Sequence, residues 1–233
     1  MKMSNFIAND KIYDYLKDLH CDYLKDPEFL EYFIKNKIGI SLNKNTLYLP
    51  PEYEKNNYYG GLRMKQVPEE MAKLAAYLYT KKDMIKTYME IGVERGGTFF
   101  FLDSYLRAVA PDFQGSLGFD IRNQVLNSRL DRYQKKHRNC AFIMKNTQNH
   151  QMHSTVDVCF IDGDHSYAGV KRDFYNFKDK AKIIILHDIV CNLKGIEVCK
   201  LWEEIKHKYK YYEFTAQKEC KKTQLGIGVI DLT

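Results

Sequence analysis

From residue 86 onward, short apolar runs with strand character alternate with stretches whose apolar residues recur every three or four positions. The strand-like runs are 87–91, 116–121, 141–144, 156–161 and 182–186. Between them, Leu102, Tyr105, Leu106 and Val109 mark one helix face, and Leu126, Leu130 and Tyr133 a second. Val170, Phe174 and Phe177 mark a third, and Val198, Leu201, Trp202, Ile205 and Tyr209 a fourth. Strands separated by a helix cannot pair through a tight hairpin. They must lie parallel, joined by right-handed crossovers, with helices on the sheet faces. The run 156–161 (Val-Asp-Val-Cys-Phe-Ile) is apolar enough for a central position. Only the last two strands, near 211–215 and 225–232, are close enough in sequence for an antiparallel hairpin. The pattern predicts an α/β fold with a seven-stranded, mostly parallel sheet and a C-terminal antiparallel hairpin.

Residues 1–80 follow no such alternation. They are rich in Tyr, Lys, Asp and Asn and hold most of the prolines. Ile12, Tyr15, Leu16 and Leu19 have helical spacing, as do Phe29, Phe33 and Ile34, and 47–61 reads as a loop. Pro68 suits the first turn of a helix running to about Tyr79, with Met71, Leu74, Ala75 and Leu78 on its apolar face. The chain thus divides into a helical segment, 1–80, and a core, 81–233. The segment could serve as a lid, a substrate arm, or an arm joining copies of a homo-oligomer.

At 45% hydrophobic and 28% charged residues, the chain has the makings of a globular core. Its net charge of +6 is spread without a basic stripe, which argues against nucleic acid as a partner. No apolar run approaches 18 residues, and no leader-like segment follows Met1, so no membrane span is expected. The six cysteines form no C-x-x-C pair, and several lie in apolar runs. Buried, reduced thiols in a cytoplasmic protein are the expectation.

Open α/β sheets bind ligands beyond the carboxyl ends of their strands. The first strand exits into Glu90-Ile-Gly-Val-Glu-Arg-Gly-Gly-Thr98, whose Gly92, Gly96 and Gly97 permit a tight turn and close backbone approach to a ligand. The second ends in Asp120, a carboxylate able to accept hydrogen bonds from both hydroxyls of a ribose. The spacing G-x-x-x-G-G differs from the dinucleotide pattern, so the signal is nucleoside binding in a variant form. The fourth strand exits into Asp162, Asp164 and His165, and the fifth into His187 and Asp188. Neighbouring strands lie about 4.8 Å apart, so these side chains converge if the two strands are adjacent. Carboxylates with open positions suit Mg²⁺ or another hard divalent cation. A strand-to-helix turn capped by Asp162 and Asp164 is the alternative without chemistry.

These motifs resemble those of class I S-adenosylmethionine (SAM)-dependent methyltransferases, over about residues 85–232. Glu90–Thr98 resembles their first motif. Phe160-Ile-Asp-Gly-Asp-His-Ser-Tyr167 and Ile185-Leu-His-Asp-Ile189 resemble the fourth- and fifth-strand exits of the bacterial sugar and antibiotic O-methyltransferase branch, of macrocin and cephalosporin-cluster type, and more distantly of catechol O-methyltransferases. The resemblance implies a Rossmann-like core whose seventh strand is antiparallel. It implies that Gly92 and its neighbours pass under the methionine part of SAM. Thr98 would meet the methionine carboxylate, Asp120 would hold the ribose, Glu90 would support the loop or the cofactor, and Thr147 and Gln148 would touch the adenine. Asp162 would contribute to the cofactor site and, with Asp164 and Asp188, to a Mg²⁺ or Mn²⁺ site, while His165 acts as general base. The function implied is methyl transfer to a hydroxyl of a small molecule or sugar. One departure is His187, where many relatives carry an acid. It leaves room for a metal-independent enzyme with His165 or His187 as base. A non-catalytic SAM-binding scaffold is a further alternative.

Other signals are weaker. His150-x-x-His153 lacks a matching Cys or acid pattern. Tyr167-x-x-x-Lys171 fits a dehydrogenase motif but follows the wrong strand. The run Asp162–Tyr167 lacks the Pro-Pro-aromatic signature of amino-methylating DNA enzymes.

Overall fold

The computed structural model describes residues 64, 66–123, 125, 127–149, 154–191, 193–215 and 225–233. The proposed helices before residue 60, His150, His153 and the turn joining the last two strands lie outside these residues.

The alternation read from the sequence becomes β1 (Thr87–Ile91), α2 (Gly97–Val109), β2 (Gly115–Asp120), α3 (Asn127–Lys136), β3 (Cys140–Met144), β4 (Val156–Ile161), α4 (Tyr167–Phe177), β5 (Ala181–His187), α5 (Val198–Ile205), β6 (Lys210–Phe214) and β7 (Ile227–Asp231), preceded by α1 (Pro68–Thr80). The strand order is β3-β2-β1-β4-β5-β7-β6. β3, β2, β1, β4 and β5 run parallel. β7 is antiparallel to both β5 and β6. The expected hairpin pair is present, with β7 inserted between β5 and β6.

Two-residue alternation sorts the central strands between two apolar layers. Tyr88, Val158, Phe160, Ile183 and Ile185 face one layer, built with α1 and α2. Met89, Ile91, Cys159, Ile161, Ile184 and Leu186 face the other, built with α4 and α5. Burial of every residue of β4 explains its mostly apolar run, and the one charged residue, Asp157, accepts from Lys86 N and Thr87 N and pairs with Lys182. Met71, Leu74, Ala75 and Leu78 of α1 are fully buried in the first layer. The described residues 68–80 therefore pack against the same apolar layer as the sheet. The described cysteines Cys140, Cys159, Cys191 and Cys199 are free. No described helix is long and apolar enough to cross a membrane.

The last strand is tied down by charge. Asp231 pairs with Lys81 at 2.9 Å and Lys210 at 3.5 Å, and accepts from Thr233 N at 3.1 Å and Oγ1 at 2.6 Å. Burial opposes its ionisation, but the Thr233 donors and Lys81 outweigh burial and hold its pKa well below the usual carboxylate value. A depressed folded-state pKa gives stability that is complete above the unfolded value, about 3.9, and lost as pH falls through the folded one. Asp231→Asn is expected to cost about 2 kcal/mol at pH 7, with the gap to wild type narrowing below about pH 4. Urea unfolding at pH 7 and pH 3 measures both values.

Candidate active site

β1 and β4 are neighbours, while their chain connections run to opposite sides of the sheet. Their carboxyl ends therefore flank the crevice where such sheets bind ligands. A cavity of about 830 Å³ opens there, lined by Gly92, Glu94, Asp120, Ile121, Thr147, Gln148, Asp162, Asp164, His165, Asp173, His187 and Asp188 among others.

Gly92 explains how the chain leaves β1. Its φ is +89°, and a Cβ there would lie 2.1 Å from the Asp162 carbonyl oxygen. Only glycine admits both the left-handed turn and the contact with the exit of β4. Gly96, also at positive φ, caps α2. Asp120, at the end of β2, fastens this turn: Oδ2 accepts from Glu94 N at 2.7 Å and Oδ1 from Arg122 N at 2.9 Å. Each oxygen keeps lone-pair capacity toward the cavity. Thr147 and Gln148 follow β3 at the same edge. Thr147 is buried and donates to Asp173 Oδ1 at 2.9 Å. Burial pushes the Asp173 carboxyl up to about 6.

Glu90, Gly96, Gly97 and Thr98 are buried and are not among the residues lining this cavity. Glu90 is buried within β1 and receives the Tyr88 hydroxyl. Burial raises its pKa well above the ordinary value, so it favours the proton-bearing state. Thr98 is buried in the first turn of α2, with its hydroxyl donating to Gln66 Oε1 at 2.6 Å.

At the exits of β4 and β5, four groups meet. Asp162 Oδ1 lies 3.2 Å from His165 Nε2 and 3.2 Å from His187 Nδ1, and Oδ2 accepts from Gln66 Nε2 at 2.9 Å. Asp188 Oδ2 lies 3.0 Å from His165 Nε2, and its Oδ1 3.4 Å from His187 Nδ1. Asp188 takes φ +64°, a left-handed value that Asp tolerates better than most residues. That turn ends β5 and holds the carboxylate beside His165. Asp164, three residues after the end of β4, goes elsewhere: Oδ1 accepts from Ser166 N at 3.0 Å and Oδ2 from Gln148 Nε2 at 3.1 Å. It shapes the turn into α4, as the capping alternative expected, and does not join the cluster.

Electrostatics follows from two carboxylates facing two imidazoles. Hydrogen bonds that His165 donates to Asp162 and Asp188 push its pKa up to about 10. Burial opposes charge on His187, but Asp188 and Asp162 outweigh it and raise that ring well above its ordinary value. Asp162 and Asp188 are held below the usual carboxylate range, burial being outweighed first by His187. The carboxylates thus favour the protonated form of both rings. The general-base role expected of His165 requires its hydrogen bonds to these carboxylates to loosen.

Asp162, His165 and Asp188 each offer a ligand atom, all within 4.8 Å of one another. Asp188 Oδ1 is buried and accepts no hydrogen bond from the described residues. Two carboxylate oxygens and an imidazole suit Mn²⁺ or Fe²⁺ as well as Mg²⁺, so the residues present fit a divalent cation.

Sequence reasoning missed Gln66, which links Thr98 to Asp162, and Asp173. Tyr167 and Lys171 lie on α4, 2.7 Å apart, and join Glu204 of α5. They form a helix-to-helix link away from the cluster.

The fold is similar to that of methyltransferases of known structure. Residues 89–189 match a family model described as a methyltransferase domain. The matched stretch runs from β1 to just past the end of β5. No curated protein sequence matches the chain. Among solved structures, it is similar to an rRNA methylase from Streptococcus thermophilus (9% identity, TM-score 0.52, 70% of this chain and 97% of that one). It is also similar to a proposed O-methyltransferase from Klebsiella pneumoniae (14% identity, TM-score 0.50, 88% and 90%). At such identities, the likeness concerns the fold.

Proposed function

We propose that the chain is a SAM-dependent O-methyltransferase, acting on a hydroxyl of a small molecule or sugar with a divalent cation as aid. The observation that carries this reading is the convergence of Asp162, His165 and Asp188 beside the cavity that Gly92 and Asp120 border. SAM would lie across the exits of β1 and β2, with its ribose at Asp120. Asp162 and Asp188 would hold the cation, with His165 beside them. When bound there, such a cation supplies Lewis acidity that lowers the pKa of an acceptor hydroxyl. His165, once its hydrogen bonds to these carboxylates are loosened, would hold its proton less tightly. The ring then becomes able to accept the hydroxyl proton near neutral pH. The acceptor oxygen attacks the sulfonium methyl in line, leaving S-adenosylhomocysteine (SAH).

A second reading also has an observation behind it. Two imidazolium rings balance two carboxylates, so the cluster is closed electrically on its own. That favours a metal-independent enzyme. The two readings separate in a thermal melt with SAH bound. The metal-assisted reading expects 1 mM Mn²⁺ or Mg²⁺ to add a further rise in Tm, lost in Asp188→Ala, because a ligand of the native state stabilises it by mass action. No increment, or one that Asp188→Ala keeps, favours the metal-independent enzyme.

A further inference from the structure

Gln66 is 1% exposed and precedes α1, outside every motif of the sheet. Its carboxamide makes two hydrogen bonds of opposite sense. Nε2 donates to Asp162 Oδ2 at 2.9 Å, and Oε1 accepts from Thr98 Oγ1 at 2.6 Å. The chemistry fixes which way the amide points, because an ionised carboxylate only accepts and must face the NH₂. Thr98, in turn, is left to donate.

The corner between Thr98 and Asp162 therefore presents one hydroxyl donor and one anionic acceptor, a single carboxamide apart. An α-amino-acid zwitterion offers the complementary pair in the same order: its carboxylate accepts from Thr98 and its ammonium donates to Asp162. The ammonium does so with full charge, where the amide has none. The cavity is lined by Asp120, Ile121, Thr147 and Gln148 on the nucleoside side, and Gln66 occupies the corner between Thr98 and Asp162.

We infer that Gln66 is an internal stand-in for the amino-acid end of the methyl donor, holding Thr98 and Asp162 until that end displaces it. This rests on the reading of the cavity as a SAM site. It assigns to the stretch before α1 a direct part in admitting the donor. A nucleoside without the amino-acid tail has no need to move Gln66.

The test compares SAH with 5′-deoxy-5′-methylthioadenosine, which keeps the adenosine and the sulfur but lacks the amino acid. Calorimetric titration of wild type, Gln66→Ala and Gln66→Met gives six dissociation constants. Met fills nearly the same volume without the two hydrogen bonds, which guards against loss of packing in the Ala variant. Freed of the displacement step, both variants are expected to bind SAH about fivefold more tightly, with the tail-less nucleoside changed by less than about twofold. SAH binding that is weakened or unaltered would show Gln66 to be a support that stays in place, and would overturn the inference. Equal changes for both nucleosides would overturn it too, by pointing to a general change in the cavity. If the tail-less nucleoside binds wild type and the SAH preference fails to shift, the inference alone fails. If neither nucleoside binds any of the three proteins, the SAM-site reading fails and takes the inference with it.

Discussion

Asp103→Ala is expected to lower the free energy of unfolding by about 3–5 kcal/mol, because it strips the counter-ion from a buried network. Asp103 lies on α2 and is fully buried. Arg107 grips it with two nitrogens, Nε at 2.8 Å and Nη2 at 3.1 Å. Ser116 of β2 donates to it at 2.6 Å, and Tyr133 of α3 at 2.5 Å. One carboxylate thus ties α2 to β2 and α3. Its loss leaves a half-buried guanidinium without its pair and takes the Asp103 acceptor from two buried hydroxyls. For a chain of this size, the melting temperature should fall by on the order of 10 °C. Urea unfolding gives the value directly. A loss below about 1 kcal/mol would mean that water takes over the role of the carboxylate.

The same network shows what a sequence hides. The alternation of apolar runs made the sheet legible, since a parallel order is forced wherever a helix intervenes. It carried the position of β4 as well, because a strand buried on both faces is apolar nearly throughout, with only Asp157 charged. Asp103 gave no such signal. It sits among apolar residues of α2, and its partners come from positions 13 and 30 residues away. In the site, the glycines and the carboxylates at strand exits were legible because topology brings those exits together. Which of Asp162 and Asp164 faces the cluster was not. Their neighbouring positions differ only in the local turn, where Ser166 N and Gln148 capture Asp164. Nor was the proton affinity of His165, which depends on Asp188 arriving from another strand. Gln66 lies in a stretch without periodicity, and a lone glutamine there has no pattern to mark it.

Asp120→Ala is the second change with a large expected effect. A carboxylate receiving two ribose hydroxyls makes charge-assisted hydrogen bonds, and losing them should weaken nucleoside binding about 100-fold. Asp120 also accepts from Glu94 N, so the substitution loosens the turn on which the donor would lie and adds to the loss. The melting temperature of the unliganded variant separates damage to the fold from damage to the site.

The most direct measurement is therefore the thermal melt of wild type and Asp120→Ala, each with and without millimolar SAH. At about 100 times the dissociation constant, a bound ligand adds about 2.7 kcal/mol, a rise of roughly 5–10 °C for wild type. The SAM-site account predicts that rise in wild type and little or none in Asp120→Ala. No rise in wild type at millimolar SAH, or the same rise in both proteins, would contradict it.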